Sequence, residues 1–572
     1  MTILKTEDQE NQLFHIEFIN INNFFYFQGV ELLLKEVLEL SYIYLEEGLP
    51  MRNLHMYAQN LKKSLATLVA FVFFGFSAQA NDILVVGQIA EPKALDPAAV
   101  TAVNDFRILM NIYDGLVRYK DGTLEVEPAL AESWTISDDG TVYTFNLRSG
   151  VTFHDGTSFE AEDVKFNFDR MLDENHPYHD TGPFPLSFFF SAITSVDVID
   201  DLTVKFTLNA SYAPFLSNLA YPTGLIVSPD AVKKHGQDFG RNPSGTGAFQ
   251  FEEWKSNERV VVTRNADHWD GQAGVDAVVF RPLTDGNTRV AEMLAGGIDL
   301  MVEVPPTSLS EFSGSEFSVV EQAGPHVWFL ILNAKEGPFA DKKVRQAANY
   351  AINKEAIVND VLEGTAAVAA GPTPPAFAWA YNNDLEPYPY DPEKAKALIA
   401  EAGAEGAELT FFVTEGGSGM LDPVAMGTAI QADLEAVGFD VKIETYEWNS
   451  FLGEVNPGLE GKADMAEMAW MTNDPDTLPF LALRTQSWPE EGGFNSGYYS
   501  NPAVDELLNA ARSSTDQAER ARLYQEMQVI VQDDAPWVFV ANWKQNAVTN
   551  SKVKNFNLQP SFFLLLKDVE KN

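Results

Sequence analysis

No cysteine occurs anywhere in the 572 residues. Disulfides, thiolate metal sites, cysteine nucleophiles and a lipid-modified cysteine are therefore excluded together. Histidine is scarce: the 8 present are scattered, and no two share a helix at metal-ligand spacing. Positive charge is short as well, with 39 Lys and Arg against 82 Asp and Glu and a formal net charge of −43. Such a surface repels nucleic-acid phosphate and anionic lipid, which argues against both as partners. Solubility is the plain reading of the acidity, and affinity for cationic ligands is the other. Uninterrupted apolar runs stay below the roughly 18 residues that a membrane span needs. What remains is an ordinary globular composition, 45% hydrophobic and 21% charged, in a chain long enough for two or three domains.

One apolar run stands out. Residues 61–82 read LKKSLATLVAFVFFGFSAQAND: a lysine pair, a short apolar stretch and a small-residue exit. That order predicts a secretory signal peptide cleaved between Ala80 and Asn81. Met51 and Met56 each stand where a start would give a signal of normal length. Residues 1–50 then read as a non-native extension, with LLLKEVLEL as its one amphipathic helix, and 51–80 as the signal. The expected mature chain keeps 73 acidic and 34 basic residues, because the first 80 carry 9 and 5. Its acidity is its own.

Beyond Asp82 the pattern alternates between strand and helix periods. ILVVGQ predicts a strand before a Pro-punctuated turn. Tyr143, Phe145 and Leu147 alternate with polar residues after the turn pair Asp139-Gly140, which predicts a hairpin. Val164, Phe168 and Met171 have helical spacing, DLTVKFTLN reads as a strand, and SGTGAFQFEEW with ERVVVTRN reads as a strand pair. VWFLILN is apolar enough for a central strand. DKKVRQAANYAINKEAIVNDVLEG predicts two helices capped by Asp341 and Asn353 and ended by Gly364. DPEKAKALIAEAG predicts a third, with Asp391 as N-cap, Pro392 at the first turn and Gly403 at the exit. ELTFFV, PVAMGTAIQADLEAVG and FDVKIETYEW form a β-α-β alternation, which calls for parallel strands.

Catalytic motifs are wanting. SGTGAFQ has no Gly-Lys-Ser/Thr behind it and reads as a tight turn. GGSGM is not a nucleophile elbow, and HPYH at His176–His179 reads as a surface loop. Acidic residues are too many for counting to exclude a glycosidase-type pair, but nothing singles one out. Binding has more support. Glu415, Gly417, Ser418, Gly419 and Met420 follow the ELTFFV strand, Trp448 ends the FDVKIETYEW strand, and Trp470, Thr472, Asn473 and Asp474 close the MAEMAW strand. Open α/β sheets hold ligands beyond such carboxyl ends, where glycines let backbone N–H groups approach closely.

LAESWTISDDGTVYTFNLRSGVTFHDG, NPSGTGAFQFEEW, RNADHWDG, PFADKKVRQAANYAINKEAI, YPYDPEKAKALIAEAG and WMTNDPD together resemble the dipeptide/oligopeptide/nickel family of periplasmic substrate-binding proteins of ABC transporters (family 5). The resemblance spans about residues 83–569. It implies an α/β, two-lobed periplasmic-binding-protein fold of type II with an extra subdomain. Lobe I would cover 81–326 with an insert at about 113–243, lobe II 327–543, and the return to lobe I 544–572. It also implies a periplasmic monomer without enzymatic activity or cofactor, which hands a peptide or peptide-like solute to permease subunits at the inner membrane; the absence of cysteine leaves it no lipid anchor. Thr101 and Trp448 match family ligand positions. The aspartate that pairs with a peptide ammonium matches Asn473 here, and the arginine that holds the carboxylate matches Gly419. Asp474 or Glu415 is left to meet a cation. The missing anchors point to a longer or modified peptide, an opine or a sugar derivative, with a nickel chelate ranked lower. A secreted hydrolase with a carboxylate pair is the rival of another class.

Overall fold

The computed structural model describes residues 82–416, 420 and 422–572. The expected extension 1–50, the signal segment 51–80, the Ala80–Asn81 junction and Gly417, Ser418 and Gly419 lie outside the described residues. The chain divides into two units, Met1–Ala80 and Asn81–Asn572, and the fold is that of the second.

The apolar runs have become central strands. β1 (Ile83–Gln88) lies in parallel between β10 (Ala277–Pro282) and β11 (Leu300–Val302). β9 (Arg259–Arg264) and β8 (Phe249–Lys255) extend that sheet antiparallel, as the predicted strand pair. On its other side β11 pairs with the long strand β18 (Trp537–Asn550), which also takes β12 (Phe317–Ala323) along its second half. The first half of β18 pairs instead with β13 (His326–Leu332) and β14 (Ala366–Val368). Beyond β13 come β17 (Met465–Met471), β15 (Glu408–Thr414) and β16 (Asp440–Tyr446), the last three parallel to one another.

Two lobes follow from this connectivity. The chain crosses between them at Gly324 and Pro325, and again within β18. The continuous apolar run in β13 is explained by burial on both faces. Trp328, Leu330 and Leu332 enter one core of lobe II, while Val327, Phe329 and Ile331 enter the other. Phe329 stacks on Trp537 at 4.1 Å between centroids.

Lobe I carries two further pieces. One is the ribbon β2 (Val117–Tyr119) with β3 (Val126–Pro128). The other is a four-stranded sheet in the order β4 (Ala131–Ile136), β5 (Val142–Leu147), β7 (Thr203–Leu208), β6 (Ile193–Asp200). Tyr143, Phe145 and Leu147 are buried as their alternation requires. Gly140 takes the turn at φ +69°, where a side chain is strained.

Most of the helix expectations hold. Val344, Ala347, Ala348 and Ala351 are the buried stripe of helix Lys342–Ala351. Its successor starts as a helix at Lys354–Ala356 but widens into a π turn at Ile357–Val361 before Gly364. Helix Pro392–Ala402 has Asp391 accepting from Lys394 N at 3.0 Å and Gly403 in the left-handed region. Asp391→Ala should therefore cost about 1 kcal/mol in urea unfolding, the usual loss for an N-cap. Trp448 departs from expectation. The strand ends at Tyr446, and Trp448 is the first residue of a helix, Trp448–Val455, because Phe451 N already donates to Glu447 O at 2.7 Å. No helix among the described residues is long and apolar enough to cross a membrane.

Candidate functional site

Parallel strands gather their carboxyl ends on one edge, and here both sheets turn that edge toward the crossing. In lobe II, Tyr446, Thr414 and Met471 end three adjacent strands. Met471 pairs with His326, the first residue of β13, and the Asn542 amide donates to His326 O at 2.9 Å. In lobe I, β1 and β11 end at Gln88 and Val302, and Val302 pairs with Ala547 of β18 just past the crossing. Carboxyl ends from two sheets thus meet around one two-segment hinge, the place where open α/β sheets take ligands.

The hinge is tightly built. Gly324 N donates to Trp543 O at 3.1 Å, and a Cβ on Gly324 would fall 2.4 Å from the Phe562 ring. Only glycine fits that close approach. Trp543 itself lies edge-on to His326 and against Phe562.

The residues expected at the strand ends separate into two groups. Glu415 is exposed, and its backbone N–H donates to Tyr446 O, which ties two strand ends together. Trp448 and Trp470 are half-buried; Trp448 stacks on Phe451, and Trp470 meets Phe494 edge-on. Thr101 is exposed in lobe I, on the stretch that leads from β1 to helix Val103–Ile112. These four have faces to offer.

The second group is committed to the protein itself. Met420 packs into a lobe II core. Thr472 is buried, and its N–H donates to Pro325 O, fastening β17 to the hinge. Asn473 donates to Asn218 Oδ1 at 2.7 Å and accepts from Thr477 Oγ1. Asp474 is not a spare charge: Arg520 Nη2 stands 2.6 Å from its Oδ1, and Ser217 Oγ donates to its Oδ2 at 3.0 Å.

Around Asp474 the arginines are arranged as a set. Arg484 and Arg512 lie over the Phe480 ring at 3.7 and 3.5 Å. Arg512 stands 3.4 Å from Asp476, whose carboxyl is nevertheless pushed up to about 6, because burial outweighs that pull and Asp474 adds repulsion. Burial also opposes the charge on Arg520, but Asp474 and Tyr524 raise its affinity for the proton above the ordinary guanidinium value. A cavity of about 390 Å³ opens beside this set. Trp134, Tyr143 and Leu216 of lobe I face Phe377 and Trp379 of lobe II across it.

Sequence reasoning missed Arg520, Ser217, Asn218, His326 and Trp543. For Arg520 there was a faint signal, a lone arginine on the apolar side of helix Gln517–Asp534. The others had none, because their partners lie far away in sequence.

Residues 125–491 match the model for bacterial extracellular solute-binding proteins, family 5. The chain belongs to this family. Family 5 proteins are solute-binding components of ABC transporters, and they are binding proteins, not enzymes. This family member is 35% identical to Heme-binding protein A of Haemophilus influenzae over 506 residues, 84% of this chain and 91% of that one. It is 32% identical to the Dipeptide-binding protein of Escherichia coli over 504 residues, 85% and 93% of the two chains. Among solved structures, the periplasmic binding protein DppA of Helicobacter pylori in complex with peptide STSA superposes with a TM-score of 0.71 at 34% identity. That match covers 86% of this chain and 98% of the other. The family and the two-lobed fold expected from the motifs are confirmed.

Proposed function

We propose that this family 5 protein works in the periplasm, exported by the segment 51–80 and released without a lipid anchor by cleavage between Ala80 and Asn81. There it captures a peptide or peptide-like solute between its lobes as a monomer and presents it to the permease subunits of its importer. The observation that carries this is the meeting of both sheets' carboxyl ends at a hinge that two segments cross among the described residues. Thr101 serves from lobe I. Glu415, Trp448 and Trp470 serve from lobe II, with backbone N–H groups from Gly417, Ser418 and Gly419. The stretch at about 113–243 acts as an inserted subdomain of lobe I, within the boundaries 81–326, 327–543 and 544–572.

A second reading concerns the solute. With Asp474 committed to Arg520, Glu415 is the acid left for a cationic group, and it is exposed. An exposed pair is weak, so a free dipeptide's ammonium is poorly served. A capped or longer peptide, or another solute without that need, fits better.

Native mass spectrometry of the exported protein tests both readings, because a closed cleft retains its solute. A co-purified small molecule lost from Trp470→Ala supports the site, with binding weakened at least tenfold, the usual loss for a buried aromatic anchor of about 2 kcal/mol. Retention of that molecule by both Trp470→Ala and Trp448→Ala refutes the site. A co-purified free dipeptide refutes the argument about the acid. N-terminal sequencing that begins before Asn81 refutes the cleavage.

A further inference from the structure

Four hydrogen bonds join one short stretch of lobe I, residues 211–218, to lobe II. Ser211 Oγ donates to Ser513 O at 2.6 Å, and Ala213 N donates to Arg512 O at 2.8 Å. Ser217 Oγ donates to Asp474 Oδ2 at 3.0 Å, and Asn473 Nδ2 donates to Asn218 Oδ1 at 2.7 Å. None of these residues belongs to the two crossing segments. They form a separate junction between the lobes, and opening the cleft about its hinge must break it.

The groups in this junction are held in place beforehand. Asn218 donates to Phe189 O and to the Tyr212 hydroxyl, both at 2.9 Å, which points its Oδ1 at lobe II. Asp474 is held from behind by Arg520. Bonds between pre-positioned groups lose little entropy when they form. Apolar packing at the same junction is incomplete, since the cavity of about 390 Å³ lies within it. Closure by a few directed bonds around a void is easily undone, unlike a close-packed core. The junction is therefore strong enough to bias an equilibrium and too weak to lock it.

We infer that Ser217 and Asn218 are positioning residues for solute capture: they clasp the loop after β17 and populate the closed arrangement before a solute arrives. This rests on capture by lobe closure. The solute then binds a cleft already partly closed, and its apparent affinity scales with the fraction of molecules in that state. Each bond removed should lower the closed-to-open ratio about two- to tenfold. Solute affinity should fall by a similar factor.

The absence of cysteine makes the test direct. Glu252→Cys in lobe I and Glu405→Cys in lobe II are both at exposed positions and carry a spin-label pair on the otherwise intact chain. The protein is unfolded and refolded to strip any solute, and inter-label distances are recorded with nothing added. We expect a short-distance population that shrinks about two- to tenfold in Ser217→Ala and Asn218→Ala and returns in Ser217→Thr. Asn473→Ala, the other side of the same bond, should match Asn218→Ala, and the double variant should add little to either. Unchanged distances in all three alanine variants would overturn the clasp. So would a loss that Ser217→Thr fails to restore. Because no solute enters the measurement, a wrong assignment of the solute site leaves these outcomes untouched.

Discussion

Arg520→Leu should destabilise the folded chain by about 3–5 kcal/mol, the loss expected when one partner of a buried ion pair is removed. Arg520 is 7% exposed and Asp474 2%, so the substitution strands a carboxylate where water cannot reach it. Asp476, two positions on, is equally buried and already disfavoured as an anion. Arg512, 3.4 Å from Asp476, and the more distant Arg484 would then be left to face both acids. The guanidinium also donates through Nε to Ala511 O and lies 5.2 Å above the Trp379 ring, and leucine replaces neither contact. Guanidinium unfolding of the solute-stripped protein measures the loss. The double variant Asp474→Asn/Arg520→Leu should recover most of it, because the stranded charge, not the missing pair, carries the cost. A loss under about 1 kcal/mol for Arg520→Leu would show that the pair is not what neutralises the site.

The second large effect depends on pH. Glu467 is fully buried in β17, with Oε1 accepting from Thr414 N at 2.8 Å and Oε2 lacking a partner among the described residues. Burial pushes its carboxyl well above the ordinary 4.5, and the nearby Asp422 pushes the same way. A folded-state value above the unfolded one means that the folded protein holds its proton longer. Stability from this group is thus complete below about pH 4.5 and declines as pH rises toward the folded value. Glu467→Gln keeps the acceptor for Thr414 and has no proton to lose. It should raise the unfolding free energy at pH 8 by about 1–3 kcal/mol, leave it unchanged near pH 4, and flatten the slope between. Parallel profiles for the two proteins would contradict the assignment. Glu467 accepts from Thr414, the last residue of β15, so the same titration is expected to reach that strand end.

What could be read along the chain and what could not divide by distance. Asp391, Pro392 and Gly403 announce a helix because a cap and its N–H lie within one turn of each other. The alternation of Tyr143, Phe145 and Leu147 announces a half-buried strand for the same local reason. The alternation of its neighbours places Trp448 in a strand, but the helix that starts there is decided by the Glu447–Phe451 turn that apolar spacing does not reveal. The position of the strand ends was legible too, and with it the edge on which a solute would sit.

Which acid remains free at that edge was not legible. Glu415 and Asp474 look alike in sequence, each a carboxylate just past a strand. Asp474 meets Arg520, 46 residues later, and Ser217, 257 residues earlier, and no local pattern carries either meeting. By itself the sequence determined the family, the two-lobed fold, the acidic cysteine-free character and the edge at which we propose that solute is held, because these rest on periodicity, composition and motifs that repeat within a few residues. Only the tertiary structure decided that Asp474 is spent on Arg520 and that residues 211–218 tie the lobes together, because contacts between distant segments exist only once the chain has brought them side by side.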